Sequence, residues 1–248
     1  MRQGDAYCME TQLETERWSA GELEQKVLEL KPAVAVFDCD GTLWEIDSGS
    51  GFMTWSIEQG LISRSACDWL DTRYRGYRAG TVSEYQICAE MVQVYSGLRE
   101  EELRKAAAEY VREFVPPTVF APMVRLIAAL REAGAELWAV SSTNKWVVAE
   151  GVRAFGIPET HVLAAEVAVT GGVISSEIVH VPTDEGKAEA LRSASIPRPD
   201  AVFGNSIHDL AMLEIAAHPF PVNPSSELRE VIARKGWGHF QPELADRD

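Results

Sequence analysis

Residues 33–43 read AVAVFDCDGTL, and this stretch decides the fold. Ala33 to Phe37 are small, β-branched or aromatic apolar residues, the pattern of a short strand buried on both faces. The run stops at Asp38, Asp40 and Gly41. Two carboxylates one residue apart at a strand end cannot both be buried unpaired, because taking an isolated charge out of water is very costly. They call for a cation or a substrate, and the carboxyl ends of strands in open α/β sheets are where ligands bind. Gly41 permits a sharp turn, and the Thr42 hydroxyl can bond a neighbouring carboxylate or a phosphate. In isolation a solvated Asx-type turn explains the stretch equally well, so the rest of the chain has to decide.

The chain has 248 residues, enough for one large α/β domain or a core with a smaller companion. A hydrophobic content of 46% supports a sizeable core and excludes disorder as the default. The formal net charge of −15 argues against non-specific binding to nucleic acid or to an anionic membrane. A small anionic substrate remains compatible, since local charge and a metal decide that. The cysteines are Cys8, Cys39, Cys67 and Cys88, scattered and without a CxxC pair, and are expected to be reduced thiols. The N-terminal residues lack a basic start followed by an apolar run, and no apolar stretch approaches membrane-spanning length. The expectation is a cytoplasmic protein.

Before the quoted strand, Thr11 to Leu30 is acidic and helix-prone, with Leu13, Trp18, Leu23, Val27, Leu28 and Leu30 available for one face. This predicts an N-terminal helical extension over residues 1–31. From about Ser50 to Val115 apolar residues recur at helical spacing, punctuated by Gly60, Gly80 and Gly97 and closed by Pro116-Pro117. Four helices are expected there, and a helical insert directly after the acidic strand reads as a cap over residues 48–116. Alternation then resumes: a helix at 121–133, the strand AELWAV running into Ser141, Ser142, Thr143 and Asn144, and a helix at 146–155. A hairpin about Gly171-Gly172 follows, then a helix from Asp184, the strand AVFGNS, a helix from His208, the strand HPFPVN and a last helix at 226–235. The expected fold is α/β: a Rossmann-like, doubly wound, mostly parallel sheet over residues 32–47 and 117–248, with the helical cap inserted.

Polar residues thus collect at strand ends or helix starts: Asp38 and Asp40, Ser141 to Asn144, Lys187, and Gly204-Asn205-Ser206 with Asp209. In a parallel sheet these points can converge on one edge. Their chemistry suits a phosphoryl group: an Asp can attack phosphorus, a second Asp can move a proton, and hydroxyls and backbone N–H groups can hold phosphate oxygens. A Lys can compensate charge, and Mg²⁺ suits the carboxylates. The segments AVFDCDGTL, WAVSSTN, the Lys of DEGKAEAL, and FGNSIHDLAML resemble the four ordered motifs of the haloacid dehalogenase (HAD) superfamily. The helical insert, the hairpin before TDEGK and the stretch FPVNPSSELRE resemble its phosphoserine-phosphatase-like branch, so that the resemblance covers about residues 32–237.

The resemblance implies a Mg²⁺-dependent phosphatase acting on a small phosphorylated metabolite through an aspartyl-phosphate. Asp38 would be the nucleophile and a metal ligand; Asp40 would be the general acid/base and bind metal through its carbonyl. Thr42, Ser141, Ser142 and Lys187 would hold the phosphoryl group. Asn205 would bind metal, with Gly41 and Asp209 in support. One departure stands out: the fourth motif usually opens Gly-Asp, and here it reads Gly204-Asn205. The neutral amide removes a negative charge from the metal site, by natural tuning, by an engineered change or by loss of catalysis. Two alternatives therefore stay open: a catalytically weak HAD-fold protein that binds a phosphorylated ligand or partner, and a phosphotransferase.

For the substrate, Asp47 lies where phosphoserine phosphatases resemble one another in carrying an amine-reading Glu. Trp44, Phe52 and Trp55 lie nearby in sequence, and an aromatic face can hold an ammonium group. Arg73, Arg75 and Arg78 are candidates for a substrate carboxylate. His208 is left as an ordinary core or surface histidine. Oligomeric state is not legible.

Overall fold

A computed structural model describes residues 15–243 of the chain. In chain order its elements begin with strand β1 (Arg17–Trp18), helix α1 (Ala20–Glu29) and strand β2 (Val34–Phe37). Four helices follow: α2 (Ser48–Glu58), α3 (Arg64–Arg78), α4 (Glu84–Gln93) and α5 (Glu100–Phe114). Then come α6 (Ala121–Glu132), β3 (Glu136–Asn144), α7 (Lys145–Arg153), β4 (Val162–Thr170) and β5 (Val173–His180). The chain closes with α8 (Glu185–Ser193), β6 (Ala201–Gly204), α9 (Leu210–Ile215), β7 (His218–Pro221), α10 (Ser226–Lys235) and β8 (His239–Phe240). None of the described helices is long and apolar enough to cross a membrane.

Six strands form one sheet in the order β5-β4-β3-β2-β6-β7. All neighbours run parallel except β5, which returns antiparallel to β4 through the Gly171-Gly172 turn. The quoted strand, β2, is central, as its two-faced apolar character requires. On one face Phe37 stacks on Phe203 at 4.5 Å between ring centroids, and Phe203 stacks on Phe220 at 5.1 Å. Leu23 and Val27 of α1, Leu126 of α6 and Val148 of α7 close over that face. On the other, Val36, Trp138, Val140 and Val202 pack against Leu191 of α8, Met212 of α9 and Leu228 and Ile232 of α10. Each such fully buried side chain contributes on the order of 2 kcal/mol of hydrophobic stabilisation. Helices on both faces of a mostly parallel sheet give the doubly wound architecture expected from the sequence.

The N-terminal extension differs from expectation. Its helix starts at Ala20, where Ser19 and Glu22 form a reciprocal capping box. Ahead of it Arg17–Trp18 pairs in parallel with His239–Phe240, so Trp18 belongs to a small two-stranded clasp rather than to the helix. Leu13, Cys8 and the first part of the expected helix lie outside the described residues. In α3, Trp69 is 48% exposed. Cys39 and Cys67 are buried free thiols and Cys88 is a half-buried one.

Helices α2–α5 leave and rejoin the core through two linkers that run side by side. Glu45 N donates to the Thr118 carbonyl at 2.9 Å and Phe120 N to the Leu43 carbonyl at 2.9 Å, with Trp44 and Val119 forming an antiparallel bridge. The block is also stitched to the β4–β5 hairpin. Gly97 N donates to the Ile174 carbonyl at 2.8 Å, Glu100 N to the Gly172 carbonyl at 3.0 Å, and Gln93 Nε2 to the Ser176 carbonyl at 2.7 Å.

Candidate active site

The β2–β6 ladder continues one step beyond the strands, where Asp38 N donates to the Phe203 carbonyl at 2.9 Å. That bond fixes Asp38 at the carboxyl edge of the sheet, with 5% of its surface exposed. Its Oδ1 accepts from Lys187 Nζ at 2.7 Å and its Oδ2 from Thr42 Oγ1 at 2.9 Å. Thr42 is fully buried, so its hydroxyl serves the carboxylate and does not face the cavity as the phosphate role required. Lys187, on the first turn of α8, is 2% exposed and also donates to Asp209 Oδ1 at 2.5 Å and to the Val140 carbonyl at 3.3 Å. The other Asp209 oxygen accepts from Asn205 N at 2.8 Å, Ser206 N at 2.9 Å and Ser206 Oγ at 3.2 Å. One lysine therefore ties the first motif to the fourth.

This charge balance is negative. Burial, and then the Asp209 carboxylate, push Asp38 up to about 7 against the pull of Lys187. Burial works to lower the Lys187 pKa, but Asp209 and Asp38 together raise it, so that its ammonium stays charged. Asp40 also sits above the usual carboxylate range, through burial and the nearby Asp47, with Ser48 and Thr143 opposing. Its Oδ1 accepts from Trp44 Nε1 at 2.5 Å, Ser48 N at 3.0 Å and Ser48 Oγ at 2.6 Å; its Oδ2 accepts from Thr143 Oγ1 at 2.7 Å.

The serine–threonine turn after β3 owes its shape to a bulge. Pairing with β4 jumps from Ser141↔Ala164 to Asn144↔Ala165, which leaves Ser142 and Thr143 as extra residues at the sheet edge. All four residues line the cavity; Ser141 is 2% exposed, and its Oγ accepts from Thr143 N at 3.1 Å. Gly41 has φ +78°, and a Cβ there would fall 2.0 Å from Asn205 Nδ2. Only glycine lets the Asn205 amide stand against this turn. Asn223 Nδ2 clamps the Gly41 carbonyl at 3.2 Å, and Gln241 Nε2 holds Asn223 Oδ1 at 2.6 Å.

Asp38, Asp40, Gly41, Ser141, Ser142, Lys187 and Asn205 share one cavity of about 350 Å³ with Asp47. Asp47 is exposed and caps α2, accepting from Ser50 N at 2.8 Å and Ser50 Oγ at 2.7 Å. Other expectations fail. Trp44 is buried and serves as a hydrogen-bond donor to Asp40, and Phe52 and Trp55 pack edge-on and tilted against Tyr110 inside the helical block. Arg73 holds Glu90 with Nε at 2.9 and 2.8 Å, and Arg75 Nε reaches the Asp71 carbonyl at 3.2 Å. None of these aromatics and none of Arg73, Arg75 and Arg78 lines the cavity. What does line it, unforeseen, is Tyr74 and Tyr77 from α3, Glu84, Ile87, Cys88 and Met91 from α4, and His208. His208 has a partner after all, with Nδ1 2.7 Å from Asp184 Oδ1 and Nε2 3.7 Å from Glu84 Oε2. The capping pattern Ser83-x-x-Gln86 signals the start of α4, but no sequence pattern says which helix face meets the cavity.

Among the described residues, no group of three or more His, Cys, Asp or Glu side chains is placed to hold a metal ion. Asp38, Asp40 and Asn205, all oxygen-bearing, line the cavity together. They are hard donors, and the buried negative excess around Lys187 lacks a positive charge. Both properties fit a divalent cation such as Mg²⁺.

Residues 35–214 match the haloacid dehalogenase-like hydrolase family. The chain belongs to that family. The HAD-type hydrolase expected from the four motifs is thereby borne out. Among curated relatives, a histidinol-phosphatase of Neisseria meningitidis serogroup C (strain 8013) is 26% identical over 216 residues, 82% of this chain and 96% of that protein. A probable phosphatase of Mycobacterium tuberculosis (strain ATCC 25618 / H37Rv) is 30% identical over 213 residues, 82% of this chain and 73% of the relative. Among solved structures, a protein of unknown function from Bordetella pertussis Tohama I superposes with a TM-score of 0.75 at 23% identity, covering 92% of this chain and 99% of that one. A substrate-bound phosphoserine phosphatase superposes with a TM-score of 0.57 at 15% identity, covering 86% and 94%. These structural likenesses establish a shared fold.

Proposed function

We propose that this hydrolase is a Mg²⁺-dependent phosphomonoesterase that takes a small phosphorylated metabolite through an aspartyl-phosphate on Asp38. The observation that carries the reading is the Asp38 carboxylate, fixed at the sheet edge between Lys187 and Thr42 and facing a cavity lined by Ser141, Ser142 and Asn205. The names of the curated relatives support it.

An Asp38 oxygen attacks phosphorus, and the ester P–O bond breaks as the new O–P bond forms. Asp40 gives its proton to the departing alkoxide oxygen; its raised pKa favours the protonated form, and the Thr143 hydroxyl can turn from donor to acceptor beside it. A water then attacks the phosphoryl group, Asp40 takes the water proton, and the Asp38–phosphorus bond breaks to return the carboxylate and inorganic phosphate. Lys187 and the Ser141 and Ser142 groups hold phosphoryl oxygens, with Asp209 keeping Lys187 in place. Asp38, the Asp40 carbonyl and Asn205 would hold Mg²⁺, which when bound supplies positive charge against the transferring group. Helices α2–α5 would act as the cap, leaving and rejoining the core at the paired linkers around Leu43 and Phe120.

Phosphate release from a panel of phosphomonoesters, p-nitrophenyl phosphate included, tests the reading. The expected result is steady release that stops with a chelator and resumes with Mg²⁺. Because Asn205 weakens the donor set, a binding protein is the second reading, and saturable binding without turnover would select it. Product that forms only with an alcohol acceptor would select a phosphotransferase.

A further inference from the structure

The end of the cavity remote from Asp38 has a polarity of its own. Its wall is built by Tyr74 and Tyr77 of α3 and by Glu84, Ile87, Cys88 and Met91 of α4, with His208 facing them from the core. The Glu84 side chain is 14% exposed, and its Oε2 is buried without a hydrogen-bond partner. Its Oε1 receives the Cys88 thiol, a weak donor at 3.5 Å, and the Tyr77 phenol is the other donor beside the carboxylate. Helix α4 does not need this carboxylate for its start, because Ser83 and Gln86 already cap it reciprocally. A carboxylate shielded from water and left short of donors is costly, and such an arrangement persists where a ligand supplies the missing donor.

The neighbours specify the sign of that ligand. Asp184 takes Nδ1 of His208, whose Nε2 faces Glu84 Oε2 at 3.7 Å, beyond hydrogen-bond distance. Tyr74 and Tyr77 stand side by side with ring centroids 6.0 Å apart and offer π faces. Burial and the adjacent Glu84 carboxylate keep Tyr77 a neutral phenol. Lys187 is the only lysine or arginine among the described residues lining the cavity, and Asp38 and Asp209 already neutralise it. A second anionic group on the substrate would meet Glu84 and Asp47 with no free lysine or arginine to receive it.

We propose that Glu84, with Tyr74, Tyr77 and the Nε2 of His208, forms a cation-reading subsite, and that the substrate is a phosphomonoester whose organic arm ends in a protonated amine or similar organic cation. The proposal rests on the phosphatase reading for the position of the phosphate. Glu84 is here a specificity residue, not a participant in bond making.

The test has a binding arm and a turnover arm. In the binding arm, calorimetry compares ω-aminoalkylphosphonates of two to five carbons with n-alkyl- and ω-carboxyalkylphosphonates of matched length, in the presence of Mg²⁺. The expected result is that the best amine binds roughly tenfold to a hundredfold tighter than its alkyl match and that the carboxylate binds weakest. Glu84→Gln should collapse the amine-to-alkyl ratio to about threefold or less, while Glu84→Asp, which keeps the charge, retains part of it. The turnover arm repeats the comparison as kcat/KM for the corresponding phosphate esters. Equal binding of amine and alkyl compounds by the wild type, or a ratio unchanged by Glu84→Gln, overturns the subsite. Selective binding with no phosphate released from any ester would support the subsite and overturn the phosphatase reading instead.

Discussion

At the sheet end of the cavity Asp38, Asp40 and Asp209 present six carboxylate oxygens, and each accepts at least one hydrogen bond. At the helical end Glu84 presents two: a thiol reaches Oε1, the Tyr77 phenol lies beside the carboxylate, and Oε2 has no hydrogen-bond partner. The first set hangs on adjacent strand ends joined through Lys187, so its geometry is over-determined. The second hangs on half-exposed helix faces, where Tyr74, Tyr77 and Met91 have room to adjust. A preorganised chemical end and an incompletely satisfied recognition end make different demands, and substitution should separate them.

The largest effect is expected at Asp38. Asp38→Asn should reduce kcat by about a thousandfold or more, since the amide cannot form the acyl-phosphate. It should not weaken the fold. The folded-state pKa of Asp38 is raised from 3.8 to about 7, so the native state favours the protonated acid. Ionising it therefore costs stability as pH rises through that window, and a neutral amide removes the cost. Without metal, at pH 8, the variant should melt no lower than the wild type, whereas at pH 4 the difference should shrink. A lower melting temperature at pH 8, measured with a chelator present, would mean that the charged carboxylate stabilises the sheet end after all.

Next in size is Asn205. Its amide abuts the Gly41 turn beside Asp38 and Asp40, so Asn205→Asp brings a full charge to the same place. Even at an effective dielectric near 20, a charge a few ångströms from a divalent ion is worth several kcal/mol before desolvation offsets most of it. A net gain of about 1 to 2 kcal/mol corresponds to Mg²⁺ bound roughly fivefold to thirtyfold tighter. Calorimetric titration with Mg²⁺ reads this directly. Equal affinity in both proteins would take Asn205 out of the metal site and leave the sheet end with fewer donors than its geometry indicates.

The same contrast explains what the sequence disclosed. Asp38, Lys187, Asn205 and Asp209 each follow an apolar strand or open a helix, and parallel strands carry such points to a single edge whatever the details of packing. The β2 pattern alone places one of them, and alternation of elements places the others. Trp44 misled because its place in the chain, near the acidic turn, says nothing of its direction; it points inward and bonds Asp40. His208 carries no signal in the sequence because its partners, Asp184 and Glu84, are distant along the chain. Trp18 reads as helical in the sequence because its strand partner lies more than two hundred residues away. The faces of α3 and α4 that meet the cavity depend on how the helical block docks on the β4–β5 hairpin, which is tertiary information.

The smallest expected effect concerns Arg73, and it sharpens the contrast from the helical end. The sequence reading offered Arg73 as a receptor for a substrate carboxylate; the structure turns it away from the cavity to hold Glu90 with Nε and Nη2, joining α3 to α4. The pair is partly solvated, with 31% and 17% of the two side chains exposed, so it should be worth no more than about 1 kcal/mol. For a chain of this length that corresponds to a drop in melting temperature of about 2 to 4 °C in Arg73→Met. Because α3 carries Tyr74 and Tyr77, loosening it should raise KM for the best amine-bearing ester slightly and leave kcat alone. For phosphate esters that carry a carboxylate, kcat/KM should stay within about threefold of wild type, since no contact with them is lost. A selective loss on those esters, with the melting temperature unchanged, would restore Arg73 to the substrate site. The helical end would then read an anion, the opposite of what Glu84 implies.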